Sequence, residues 1–366
     1  MASLLIIFYL EDVPDALLHV SETKVKHSHM RLITILLLVI LASAPLAAQR
    51  LDKRATEETA LNFLEKYSPS SSYVMGLLAD LPNKFNINGS QITTSGKTSF
   101  LTWISERTES GIIESLNTVV HESVHGFTSR YAYEMLENSE AEQYNFGDDF
   151  SAFYLGENEI YLVKHTEVFS SNLLKKRISK ELRTFRFNPY IIPKDNNLGA
   201  QIQGIYGLLD EWNAYYHGTR TAYDLFGYYR SKASDKDQKV YLEHVGNLAG
   251  TYFAYYEFKY YILKYLELAK SSHPQVYKDI MGNEPLRQAY TAINLQFSEM
   301  VDLFETRLDT IENLVTSDNY TSVYRQDGYY FIGSSGVGLF SKEANMLKSE
   351  LSKPSMVSLD KSFRLR

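Results

Sequence analysis

The chain has 366 residues, a formal net charge of −7 and no cysteine. The lack of thiols excludes disulfides, thiolate zinc ligands, a cysteine nucleophile and a lipid anchor on cysteine. Because the chain is acidic overall and shows no basic patch, nucleic acid is not an expected partner.

The amino-terminal segment predicts export. Met30-Arg31 is followed by an apolar run, 32–41, and then by the small residues of 42–48. This order is that of a secretory signal peptide, and the run is short for a bilayer span, which needs about 20 residues. We interpret 30–48 as a cleaved signal peptide and 1–29 as an over-extended start. The mature protein is expected to be secreted or periplasmic without a stable membrane span, and a retained membrane anchor is the alternative.

A helix and short strands are predicted before the centre of the chain. Apolar residues in 51–67 have helical spacing, and Pro69 ends that segment. Asn88-Gly89 lies between two short strand-like runs, which is a hairpin signal, and 99–103 has the character of a further strand.

One long helix is predicted from Ser110 to Leu136. Its apolar residues recur at spacings of three and four and form a core-facing stripe: Ile113, Leu116, Val120, Val124, Phe127, Tyr131 and Met135. His121-Glu122-Ser123-Val124-His125 lies in this helix, with both histidines at the edge of the stripe. Because residues four apart share a helix face, both imidazoles can reach one Zn²⁺ at about 2.0–2.1 Å with Glu122 beside them. The spacing predicts a zinc hydrolase site, against the alternative of a solvated helix that carries these residues by chance.

The H-E-x-x-H sequence at 121–125 resembles that of the zincins, a clan of zinc metallopeptidases. The resemblance implies that His121 and His125 are metal ligands and that Glu122 is the general base. The longer metzincin pattern H-E-x-x-H-x-x-G-x-x-H is absent, since Thr128 and Tyr131 stand at the positions of its glycine and third histidine. This departure favours a gluzincin-like arrangement, in which a glutamate from a separate helix is the third ligand.

Glu211 is the preferred candidate for that ligand. It lies in an apolar and aromatic helix predicted for 204–216, where a buried carboxylate is costly unless a metal or a base partners it. Gly207 and Ala214 on the same face would let this helix approach another backbone closely. Tyr215, one turn after Glu211, could donate to the oxyanion of a tetrahedral intermediate, a role that zincins commonly give to a tyrosine or histidine.

Other third ligands stay open. The candidates nearer to His125 in the sequence are Glu140, Glu142, Asp148 and Asp149. None has the separation of about 19 to 20 residues that is common in gluzincins. Less favoured candidates, for which a surface or core position is the simpler interpretation, are His217, Glu243, His244 and Glu257.

A hairpin and then mostly helices are predicted after the motif. Strands at 151–155 and 159–163 are joined by Gly156-Glu157-Asn158. By resemblance to the zincins, such strands would lie over the motif helix, where an extended peptide could add to an exposed edge. Long buried helices are expected over 239–270 and 285–315.

Three further segments are given simple interpretations. Lys175-Lys176-Arg177 is taken as a solvated basic run. The glycine-rich segment 333–338 lacks the ending of a phosphate-binding loop and any βαβ context, so a turn is expected. The tail after Pro354 is expected to be poorly ordered.

Together the patterns predict a predominantly helical α+β fold, with a small β-sheet beside a zinc-binding helix. The expected divisions are 49–200 for the α+β part, 201–320 for the helical part that supplies the third ligand, and 321–366 for a strand, turn and tail. The predicted function is a secreted zinc metallopeptidase with one Zn²⁺ per chain and a peptide or protein substrate. A non-catalytic zincin-like or helical secreted binding protein is the alternative.

Overall fold

A computed structural model describes residues 50–94, 98–139, 145, 147–234, 237–316 and 322–365. The proposed start and signal peptide, 1–48, lie outside these residues and stay predictions. Within the described ranges, no helix has the length and apolar character needed to cross a membrane. Residues 50–366 form one compact unit, and the internal divisions at 200 and 320 stay predictions.

Helices make up most of the described chain, as predicted, and the strands form small antiparallel sheets. The α-helices are α1 (Lys53–Tyr67), α2 (Pro69–Asp80), α3 (Glu109–Asn138), α4 (Phe187–Ile191), α5 (Gly199–Ile202), α6 (Ile205–Asp224), α7 (Phe226–Lys232), α8 (Val240–Tyr252), α9 (Ala254–Ser272), α10 (Pro274–Gly282), α11 (Glu284–Thr316), α12 (Ser341–Leu351) and α13 (Pro354–Phe363). Short 3-10 helices span Phe100–Trp103, Ser171–Lys176 and Lys180–Leu182. The strands are β1 (Lys84–Ile87), β2 (Ser90–Thr93), β3 (Phe150–Gly156), β4 (Glu159–Lys164), β5 (Val323–Gln326), β6 (Tyr329–Ile332) and β7 (Ser335–Gly338).

The predicted motif helix is confirmed as α3, and it lies in the core. It packs against α1, α2, β1, β3 and α6. Five residues of the predicted stripe are buried: Ile113, Leu116, Val120, Val124 and Phe127. On its other sides α6 packs against α8, α9 and α11. The two largest hydrophobic clusters therefore meet along α6. This places the motif helix directly against the segment that carries Glu211.

Both predicted hairpins are confirmed. The β1–β2 pair turns through Asn88 and Gly89, whose φ values of 49° and 78° suit a tight two-residue turn. β3 pairs with β4 and packs on α3. The hairpins form separate two-stranded sheets instead of one sheet, because Phe85 of β1 packs near Leu136 at the end of α3, whereas Tyr154 of β3 packs near its middle.

Other predicted elements differ from the structure. The strand expected at 99–103 is a 3-10 helix, Phe100–Trp103. The single helix expected over 239–270 is two helices that meet at Phe253, where the apolar spacing continues across the junction and so gives no sign of it. The expected turn at 333–338 includes strand β7, which pairs with β6.

The segment after Pro354 is ordered as α13, contrary to the sequence-based prediction. Phe363 is buried and its ring lies 4.8 Å from that of Tyr290. Arg287 donates to the backbone carbonyl of Phe363, and Tyr290 donates to Asp360. These contacts with α11 stabilise a short helix whose sequence alone gives only a weak indication of helical structure.

Candidate metal centre

Helix α3 places the two histidines of the motif together. It begins at Glu109, with the Thr108 side chain accepting a hydrogen bond from the backbone of Gly111. Since the helix continues unbroken to Asn138, His121 and His125 lie one turn apart, and their Nε2 atoms are separated by 3.2 Å. Their side chains are 12% and 24% exposed. Both imidazoles are therefore partly buried and face a common point.

Helix α6 approaches α3 closely at a glycine. A Cβ atom on Gly218 would lie 2.9 Å from the backbone oxygen of Asn117, so only a glycine fits this contact without displacement. Gly207 also makes a close backbone approach, as the sequence suggested, but its neighbour is Gly199 in α5. The predicted close approach is therefore confirmed at Gly207, and the contact of α6 with α3 lies at Gly218, two turns after Glu211.

The close approach brings Glu211 to the histidine pair. Its Oε2 atom lies 3.4 Å from Nε2 of His125 and 3.7 Å from Nε2 of His121. Ligand atoms about 2.0–2.1 Å from a tetrahedral zinc are about 3.3 Å apart, which is close to these separations. The point in the plane of the three atoms that is equidistant from them lies about 2.0 Å from each, a zinc–ligand distance.

The donor atoms also fit a cation chemically. Oε2 of Glu211 is buried and has no hydrogen-bond partner, and an isolated buried carboxylate oxygen is costly. A cation between the three residues would remove that cost. Among the described residues, the group of three or more histidine and acidic side chains that could hold a metal ion is His121, His125 and Glu211.

Asp210 is a site residue that the sequence reading missed. Its Oδ2 atom accepts a hydrogen bond of 2.6 Å from Nδ1 of His125. With Nδ1 directed at Asp210, Nε2 is the ring atom that faces the site and can bind a metal once it has lost its proton, and a carboxylate on the other nitrogen is the usual support for a metal-binding histidine. The available signal was a second carboxylate next to Glu211, in a helix whose remaining residues are mostly apolar or aromatic.

The carboxylates change the protonation of the histidines. Burial lowers the pKa of His125, but the charges of Asp210 and Glu211 outweigh it, and this pKa lies well above its ordinary value. Burial and the charge of His125 hold the pKa of His121 well below its ordinary value. Proton binding is thus disfavoured at His121 and favoured at His125, where a proton on Nε2 would compete with a metal ion.

Glu122 lies beside this group. Burial raises the pKa of its carboxyl; the charge of His125 opposes this, and the charges of Glu211 and Asp210 add to it. The net effect is a pKa above the ordinary value. A partly buried carboxyl of this kind is suited to accept and return a proton near neutral pH.

Tyr215 contacts the site, as the sequence suggested. Its ring packs edge-on against His121, with centroids 4.4 Å apart. Its hydroxyl is 2.9 Å from that of Tyr190, and either can be the donor. Burial, followed by the charge of Glu211, raises the pKa of Tyr190 well above its usual value, so this phenol also lies near the ligands. Tyr190 was not among the predicted site residues; it lies in the short helix α4, directly after Pro189.

The remaining histidine candidates have other surroundings. His217 is buried and its Nε2 lies 2.7 Å from the carbonyl oxygen of Tyr154, to which the neutral ring donates. Burial lowers its pKa to about 4. His244 is fully buried between Phe226 and Tyr229, with ring centroids 5.2 Å from each. Both histidines are neutral core residues.

The remaining carboxylate candidates are also accounted for where they are described. Glu257 is buried and pairs with Arg186, with 2.6 Å between Oε2 and Nη1. Asp148 pairs with Lys164, and Asp149 and Glu243 are exposed. Glu140 and Glu142 lie outside the described residues.

His121, His125 and Glu211 therefore form a candidate centre for one metal ion. Two imidazole nitrogens and one carboxylate oxygen are the donor set of many catalytic zinc sites, in which a further position is open. No model of a known family, no curated protein and no solved structure matches the chain.

Proposed function

We propose that this protein is a zinc-dependent hydrolase in which His121, His125 and Glu211 hold one Zn²⁺. The observation that supports this most directly is the triangle of donor atoms, with sides of 3.2, 3.4 and 3.7 Å. Zinc bound there would supply a Lewis acid and make water a nucleophile near neutral pH.

The chain's own residues would handle the protons. Glu122 takes the proton from the attacking water and later returns it to the leaving group. The hydroxyl of Tyr215 donates to the substrate oxygen as that atom becomes negative, and it then accepts a hydrogen bond from the hydroxyl of Tyr190. Asp210 holds the ring of His125 in the required orientation.

A peptide or protein is the proposed substrate class. The H-E-x-x-H resemblance supports a peptidase, and so does the position of the β3–β4 hairpin against α3. Export, with the chain secreted or periplasmic, is part of the same proposal and rests on the segment 30–48.

Glu122→Gln tests the catalytic role. Wild-type protein should hold one zinc per chain and cleave members of a peptide library, and a chelator should abolish cleavage until zinc is restored. Glu122→Gln should keep the zinc and lose at least about 100-fold in rate. The matched control is Glu114→Gln, at an exposed position on the same helix about 12 Å away.

Two results would contradict the proposal. Protein that binds no zinc under metal-buffered conditions would remove its basis. Cleavage that survives Glu122→Gln would show that another residue is the base. Stoichiometric zinc without cleavage of any peptide would favour the non-catalytic binding protein instead.

A further inference from the structure

Residues 171–185 form a basic surface, and none of them is a proposed metal ligand. This segment has five cationic side chains and one carboxylate, in a chain whose net charge is −7. The cationic residues line an open concavity of about 660 Å³: Lys175, Lys176, Arg177, Lys180 and Arg183. The first three are the run that the sequence suggested to be a solvated face.

The backbone of this basic surface is held in place. Leu174 and Ile178 are buried and anchor it to the core. Arg183 donates to the carbonyl oxygens of Lys175 at 2.8 Å and of Ile178 at 3.1 Å. The next buried residue, Arg186, pairs with Glu257. The concavity is therefore a fixed feature of the fold, in contrast to a flexible charged run.

Four of its charges are not neutralised by the protein. Lys175, Lys176, Arg177 and Lys180 are exposed and form no ion pair within the part of the chain that the structure describes. Like charges held close together repel one another, so an anion supplied from outside would be favoured here.

Exposed apolar side chains accompany these charges. Phe185 is 68% exposed and Leu173 is 45% exposed. Ile202, 59% exposed, lies in α5, which packs against the 3-10 helix Ser171–Lys176. A segment that combines lysines with exposed large hydrophobic side chains has the composition of protein surfaces that lie in the interface of an anionic membrane.

We propose that the basic surface docks the protein on an anionic phospholipid bilayer. Lys175, Lys176 and Lys180 would contact lipid phosphates, and Phe185 and Leu173 would enter the boundary between headgroups and acyl chains. A soluble anion would satisfy the charges and leave the apolar side chains in water, so a bilayer accounts for more of the surface.

Docking here would bring the metal centre near the membrane. Arg186 follows Phe185 directly, and its guanidinium lies 4.2 Å from the ring centroid of Tyr215. Tyr215 in turn contacts His121. One buried side chain thus separates the proposed docking surface from a residue of the site. Membrane binding does not depend on hydrolysis, so Glu122→Gln should leave it unchanged.

A tryptophan at position 185 gives a local readout. In the full chain, Phe185→Trp fluorescence should shift to the blue and become protected from a soluble quencher with vesicles that contain phosphatidylglycerol. It should change little with phosphatidylcholine alone. The matched control is Leu295→Trp, at a position 58% exposed on α11, which should respond to neither vesicle. The two native tryptophans, fully buried Trp212 and partly buried Trp103, are present in both variants, so the Leu295→Trp control also reports their background.

Charge variants test the electrostatic part. Lys175→Ala with Lys176→Ala, in the Phe185→Trp chain, should weaken vesicle binding about fivefold for each charge removed. Lys53→Ala with Lys66→Ala, at exposed positions on α1, should not. The proposal is overturned by unchanged fluorescence with phosphatidylglycerol vesicles, by equal loss in both double variants, or by a response that inorganic phosphate abolishes at constant ionic strength.

Discussion

Replacing Asp210 with asparagine should weaken zinc binding without removing a ligand. The carboxylate accepts a 2.6 Å hydrogen bond from Nδ1 of His125, and a charge-assisted bond of this length is at the strong end of its class. Loss of such a partner typically lowers metal affinity about 10- to 100-fold. The affinity of Asp210→Asn should therefore fall by roughly 1.4–2.7 kcal/mol.

The pH dependence makes this prediction sharper. In the metal-free protein, Asp210 and Glu211 overcome burial and hold the pKa of His125 well above its ordinary value. A proton therefore competes with zinc, and affinity falls as the pH drops below that pKa. Asp210→Asn removes one of the charges that raise the pKa, so proton competition moves to lower pH. The difference between wild type and variant should be largest at high pH and should shrink as the pH falls.

Competition with a chromogenic chelator across a pH series would measure both effects. Asp224→Asn is the control, since this aspartate lies on α6 about 21 Å further along the helix axis. The Asp224 and Asp210 side chains are 15% and 18% exposed. Equal affinities of Asp210→Asn and wild type at high pH, or a difference that grows toward low pH, would refute the reasoning.

Three further predictions concern stability and helix contact. Glu211→Gln should abolish the stabilisation by zinc, because it removes the charged ligand; thermal unfolding with zinc and with chelator checks this. Gly218→Ala should lower the free energy of unfolding by about 1–3 kcal/mol and weaken zinc binding, because the new Cβ would lie 2.9 Å from the backbone of α3. Gly250→Ala is the control: it has open space around it and should stabilise α8. Urea unfolding measures both effects. His217 stays neutral in the folded state down to about pH 4, whereas the unfolded chain takes up its proton below about 6.5. This residue therefore lowers the free energy of unfolding as the pH is reduced from about 6.5 to about 4. His217→Gln should reduce the slope by up to about 1.4 kcal/mol per pH unit in chelated protein.

The motif helix could be predicted because its signals are local. The stripe that includes Val120 and Val124 has helical spacing over about six turns, and the structure places both in the core. The turn at Asn88 and Gly89 is likewise determined by residues that tolerate positive φ. Glu211 could be proposed because a carboxylate stands out in an apolar helix.

Features that depend on contacts between distant segments could not be predicted. Asp210 and His125 are 85 residues apart, and only the packing of α6 on α3 pairs them. Adjacent carboxylates on a helix point in directions about 100° apart, so the sequence does not show which of them meets the metal and which meets the imidazole. The position of Tyr190 and the order of the segment after Pro354 depend in the same way on tertiary contacts.

The central claim is that His121, His125 and Glu211 hold one metal ion. Crystals of zinc-loaded protein, measured on both sides of the zinc absorption edge, test it most directly. The account predicts one anomalous peak per chain, about 2.0–2.1 Å from Nε2 of both histidines and about 2.0–2.2 Å from a carboxylate oxygen of Glu211. A zinc-loaded crystal without a peak between these three residues, or with its peak at another carboxylate, would contradict it.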